Sequence, residues 1–124
     1  MPNTVSTPLA PSAIGPYSQA KAAAGFVFVS GQLPLNPETG VMPETIEEQT
    51  IQSMKNVLAI VKAAGGSEKS IVRCGINVRD MGRFGDINEA YGRFFEEEPP
   101  ARFVVEVSAL PKGASIEIEA IAAI

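Results

Sequence analysis

Apolar and polar residues alternate with period two through the last quarter of the chain. From residue 102 to 109, Phe103, Val105, Val107 and Ala109 share one side, and Arg102, Val104, Glu106 and Ser108 share the other. From residue 116 to 122, Ile116, Ile118, Ala120 and Ala122 oppose Glu117, Glu119 and Ile121. Leu110-Pro-Lys-Gly lies between the two stretches, and the pattern predicts a strand pair around a tight turn. Each strand has one greasy side that must be covered and one side that carries charge.

Upstream, the Pro- and Ser-rich stretch over residues 1–16 predicts at most a short edge strand near residues 3–7. Residues 17–24 read as weakly strand-like. After Gly25, Phe26-Val-Phe-Val29 is a strand by its aromatic and β-branched content, ending at Ser30-Gly-Gln32. Pro34 to Gly40 is turn chemistry. A helix follows over about residues 45–64: Thr45-Ile-Glu-Glu48 reads as a capping box, and Ile51, Met54, Leu58 and Val61 recur at helical spacing. Gly65-Gly66 ends it. Residues 70–78 alternate again, with Val72, Cys74, Ile76 and Val78 in the apolar row and Arg73, Gly75, Asn77 and Arg79 opposite. A second helix is predicted over about residues 82–96, with Phe84, Ile87, Tyr91, Phe94 and Phe95 along its buried side, and Pro99-Pro100 bars its continuation. Glu96-Glu-Glu98 reads as a solvated helix end, because consecutive helical side chains do not converge.

These elements make one α+β domain over residues 1–124, a sheet of about six strands with two helices on one face. The other face is expected to carry Arg73, Asn77, Arg102, Glu106, Glu117 and Glu119, interleaved with Val104 and Ile121 and free of lysine. That mixture suits an interface better than open water. A solvated face is the default for a lone antiparallel sheet, and a self-associating face in a symmetric homo-oligomer is the alternative. If the final strands form a hairpin turning near Lys112, Glu117 lies opposite Val107, five residues or roughly 16 Å from Arg102. Those two residues then serve one small ligand only where a second subunit brings another copy near.

Composition narrows the chemistry. In 124 residues the formal net charge is −4, and the ten Lys and Arg residues are scattered, which argues against a nucleic-acid surface. The sequence has no histidine and one cysteine, Cys74, which excludes Ser-His-Asp and Cys-His nucleophiles, histidine-ligated metals and an internal disulfide. Cys74 itself falls in the apolar row and reads as a small buried hydrophobe. No apolar run approaches the ~20 residues that span a bilayer, and the first residues lack the features of a signal peptide, so the expected location is cytoplasmic.

Six strings in order along the chain carry a family resemblance. They are Ile14-Gly-Pro-Tyr-Ser-Gln-Ala20, Ser30-Gly-Gln32, Asn36-Pro-Glu-Thr-Gly40, Asn88-Glu-Ala-Tyr91, Pro100-Ala-Arg102, and Leu110-Pro-Lys with Ile116-Glu-Ile-Glu-Ala-Ile-Ala122. The chain resembles the RidA/YjgF family of reactive-intermediate deaminases nearly end to end. The resemblance implies a chorismate-mutase-like α+β fold with a mixed sheet, and a homotrimer with ligand sites in the clefts between subunits. It also implies hydrolysis of 2-imino acids or their enamine tautomers, such as 2-iminobutanoate and 2-iminopropanoate, to 2-keto acids and ammonia. No cofactor or metal is implied. By position, Arg102 matches the arginine that grips the substrate carboxylate, as a planar fork does well. Glu117 matches the glutamate that holds and activates the attacking water. Tyr17, Ser30, Gly31 and Asn88 match positions lining the pocket.

Many members have Arg-Ser-Cys where this chain has Arg102-Phe103-Val104. Val104 can offer the same backbone amide to the carboxylate. The segment before Arg102 is also shorter than in familiar members. Two other functions stand beside the deaminase: a regulatory module that binds small carboxylates without turning them over, and a translation-inhibiting ribonuclease. The acidic charge and the lack of histidine weigh against the second.

Overall fold

In the computed structural model, which describes residues 2–124, local sequence signals account for most element ends. Thr45 opens helix α1 (Ile46–Ala63), its hydroxyl accepting from Glu48 N at 3.1 Å. Only half of the expected capping box forms: the Glu48 carboxylate accepts from the Thr45 hydroxyl at 3.1 Å instead of turning back to the backbone. Gly65, at φ +99°, takes the left-handed conformation that closes the helix, and Gly66 N donates to Val61 O at 2.9 Å.

The strands are β1 (Asn3–Val5), β2 (Ala20–Ala23), β3 (Phe26–Gln32), β4 (Ile71–Val78), β5 (Ala101–Glu106) and β6 (Ile116–Ala123). They form one mixed sheet in the order β1-β2-β3-β6-β4-β5, antiparallel throughout except for the parallel pair β4–β5. Helix α2 (Phe84–Gly92) is the crossover between those parallel strands. It ends four residues earlier than the apolar stripe suggests. Gly92 is a poor helix former, and Phe94 and Phe95 follow in tight turns, donating to Tyr91 O and Gly92 O.

The expected hairpin between the last two strands does not form, because β4 lies between them. Val107 N donates to Val78 O, and the chain then crosses to β6 through a turn at Pro111–Gly113, where Lys112 itself has φ +59°. Period two identified both strands but carried no information on their pairing.

Both helices cover one face of the sheet. Between them, Val27, Met54, Val57, Ile60, Val61, Cys74, Ile76, Val78, Ile116 and Ile118 are wholly buried. Each large aliphatic side chain so covered contributes about 1.5–3 kcal/mol. A bulge between Ile71 and Arg73 turns Ile71 into this core and Val72 outward, correcting the expected apolar row of β4.

Two charged halves of a candidate site

Glu117 stands on the open face of the sheet, at the inner wall of a cleft of about 470 Å³. Asn77 is its cross-strand neighbour on β4 and Gly31 approaches from β3. The β3–β6 pairing slips by one residue between Val29 and Gln32, placing the Ser30–Gly31 bulge beside β6. A side chain at Gly31 would lie 2.8 Å from the Glu117 carboxyl carbon and 3.0 Å from Oε1. Glycine is therefore what lets this carboxylate occupy its place. Ser30 Oγ donates to Ser18 O at 2.6 Å, tying the bulge to the segment that carries Tyr17. Tyr17, Ser30, Gly31 and Glu117, four of the expected site residues, line the same cleft.

Three buried amides that periodicity assigned to no role hold the cleft's loops. Gln19 accepts from Thr7 N and donates to Ala10 O and Pro11 O, folding the N-terminal loop onto the cleft. Asn56 donates to Leu33 O at 3.0 Å and Leu35 O at 2.9 Å. Gln49, two turns earlier on the same side of α1, donates to Pro43 O and accepts from Ser115 N. The signal was available as amides at positions 49 and 56, on a helix face that also buries Thr50 and Ser53, since a buried amide requires partners. Burial raises the Glu117 carboxyl above the ordinary value of 4.5, and neighbouring Glu119 adds to the rise, while the Asn77 amide opposes it.

Arg102 lies elsewhere. It pairs with Cys74 across the β4–β5 ladder, while Glu117 pairs with Asn77. Three residues along β4 and two strand spacings therefore separate them, roughly 10 Å in each direction. They also face opposite sides. Arg102, Val104 and Glu106 do share one face of β5, but it is the helix-covered face, with Val104 packed against the core. Phe103 and Val105 take the open face instead, where the Phe103 ring covers Gly75 and lies 4.9 Å from the Arg73 guanidinium. The placement of Arg102, Val104 and Glu106 on the open face is thus corrected. Both sides of β5 carry apolar residues, so alternation alone could not choose between them.

At this sheet edge α2 receives Arg102. Asn88 Oδ1 accepts from Arg102 Nη1 at 2.8 Å, so Asn88 sits with the arginine and away from the cleft. Val104 belongs to the same edge. Since Val107 N bonds β4, parallel-ladder alternation turns the N–H groups of Arg102 and Val104 toward the free edge of β5. The substitution at Phe103 points away from Arg102, and that at Val104 leaves the amide in place. Among the described residues, no three His, Cys, Asp or Glu side chains gather as a metal site, and no helix is long and apolar enough to cross a membrane.

The fold and these two halves define an α+β sandwich with a recessed carboxylate on one face and a cradled guanidinium on the other. Residues 7–124 match the family described as Endoribonuclease L-PSP, and the chain belongs to that family. It is 46% identical over 125 residues to the 2-iminobutanoate/2-iminopropanoate deaminase of Escherichia coli, covering 98% of both chains. The crystal structure of the E. coli YjgF gene product is similar with a TM-score of 0.95 at 44% identity, again over 98% of each chain. That of E. coli TdcF with bound serine gives 0.96 at 42% identity and the same coverage. The RidA/YjgF resemblance read from the sequence and the six-stranded fold are both borne out.

Proposed function

We propose that this protein hydrolyses reactive 2-imino acids and their enamine tautomers to 2-keto acids and ammonia, in clefts between the subunits of a homotrimer. The observation that carries the proposal is the division of charge. A carboxylate in a built cleft and a guanidinium at a sheet edge face away from each other within one chain. A second subunit docked on the open face unites them. Apolar exposure on that face supports such docking: Phe26, Phe28, Val72 and Val105 are each 40–46% exposed there. The relatives' deaminase names and the serine held by TdcF supply the chemical class, a small carboxylate bearing nitrogen on its α-carbon.

In this reading Arg102 grips the carboxylate through its planar fork, and the free N–H of Val104 adds a bond beside it. Tyr17, Ser30 and Gly31 line the wall opposite. Glu117 holds a water against the imine carbon and takes its proton as the C–O bond forms. That proton passes to nitrogen to give a carbinolamine, and the remaining hydroxyl proton is then moved to nitrogen by the same carboxylate as the C–N bond breaks, so ammonia leaves while the carbonyl forms. Water and imine account for every atom of keto acid and ammonia, so the reaction consumes no cofactor. A carboxyl raised above its usual value suits this double duty, since it both accepts and returns a proton more readily near neutrality.

Generating 2-iminobutanoate in place with a threonine dehydratase tests the proposal. Addition of this protein accelerates 2-ketobutyrate formation, and Arg102→Ala lowers the acceleration by about 10²-fold. No acceleration by the wild type contradicts the enzyme reading. Keto-acid binding without acceleration would leave the carboxylate-binding regulator. The family description raises RNA cleavage, but the net charge of −4 gives a polyanion little to hold.

A further inference from the structure

Arg102 is held without being neutralised. Arg73 pairs with Glu119, Arg83 with Glu47 and Asp86, and Arg93 with Glu89. Among the described residues, Arg102 and the exposed Arg79 have no carboxylate partner, and of these two only Arg102 lies over ring faces. Its guanidinium carbon instead lies 5.1 Å from the centre of the Tyr91 ring and 5.7 Å from that of Phe84, with Asn88 taking one of its five N–H bonds. Phe84, Asn88 and Tyr91 occupy positions i, i+4 and i+7 of α2, which form one helical stripe. Ring faces attract a cation through their quadrupole within about 6 Å and carry no net charge of their own. The stripe therefore fixes the guanidinium while leaving its positive charge and most of its donors available. A carboxylate in the same place would fix it equally well and compete with any incoming anion.

We propose that Phe84 and Tyr91 are positioning residues that set the orientation of Arg102 for an incoming carboxylate, Phe84 by its ring face and Tyr91 as the floor beneath. The inference deepens the reading of Arg102 as the carboxylate grip and rests on it. Tyr91 is 4% exposed, packs against Phe95 at 5.0 Å between ring centres, and is integral to the core. Phe84 is 37% exposed, so it can be exchanged without disturbing the core and leaves room for a larger ring.

The test uses the full chain, with 2-oxobutanoate binding measured by titration calorimetry, alongside the coupled kinetics and melting curves. Phe84→Leu keeps apolar volume but removes the ring face, and is expected to weaken binding and raise KM about five-fold with kcat changed much less. Phe84→Tyr stays near wild type, and Phe84→Trp, with the strongest ring face, binds as tightly or more tightly. That order follows ring electrostatics and not side-chain volume. Leu and Trp variants that both match the wild type overturn the inference, as do Leu and Trp variants weakened alike. Failure of the wild type to bind 2-oxobutanoate overturns the grip reading of Arg102, and this inference with it. The two failures are told apart by the wild-type titration alone.

Discussion

The Glu117 half and the Arg102 half solve opposite problems. Glu117 sits in a concavity whose walls are loops, and those loops stay in place because the buried amides of Gln19, Gln49 and Asn56 bind their carbonyls. Partial desolvation raises its pKa. Arg102 sits at an exposed edge with no cavity, held by the neutral stripe of α2. One half builds a chamber around a carboxyl whose pKa is raised. The other keeps a fixed charge ready. Neither contains its counterpart, and in the proposed function a neighbouring subunit supplies it.

Breaking the two halves should therefore fail differently. Glu117→Gln removes proton transfer and keeps shape, so kcat should fall about 10²- to 10⁴-fold while 2-oxobutanoate still binds. Equal loss of binding would merge the two roles. Arg102→Ala should cost about 10²-fold in kcat/KM, with keto-acid binding lost in proportion, because a charge-assisted bond pair disappears. An unchanged affinity in the titration would place the grip elsewhere.

Gly31→Ala probes the fit between backbone and carboxylate. Its methyl group would fall 2.8 Å from the Glu117 side chain, which must shift. A flexible side chain moves at little cost to stability, but the displaced base should lower kcat by about ten-fold or more, read by coupled kinetics and a melting curve. Wild-type kcat in this variant would show that the carboxylate position is not critical.

The smallest effect is thermodynamic. Because burial raises the folded pKa of Glu117, its contribution to stability is present at acid pH and is lost as pH rises through the folded value. Urea unfolding from about pH 4 to about pH 8 should thus show Glu117→Gln gaining on the wild type as pH rises. The reverse trend would mean that a neighbouring subunit's cation lies close enough to outweigh burial.

Much of the fold was legible because local signals agree with it. Thr45 and Gly65 bound α1, aromatic and β-branched content marks β3, and alternation marks β4, β5 and β6. What alternation omits is partnership. Phe103 and Val104 are both apolar, so β5 could present either side to the helices, and proximity in sequence suggested a hairpin where β4 intervenes. The site residues were recoverable from the motif strings, while their geometry was not. The earlier separation of Arg102 from Glu117 rested on a false register, yet the true register also keeps them apart and adds opposite faces. Phe84 and Tyr91 fall in the apolar stripe of α2, and an amphipathic stripe does not reveal that a cation from another strand will lie on it.

Subunit mixing tests the shared site most directly. Arg102→Ala and Glu117→Gln proteins, each inactive alone, are unfolded together in equal amounts and reassembled, with hybrid formation checked by native mass spectrometry. If each site takes Arg102 from one subunit and Glu117 from the next, about one quarter of sites regain both residues, and about a quarter of wild-type activity returns. Hybrids that form and remain inactive would contradict a site completed between subunits.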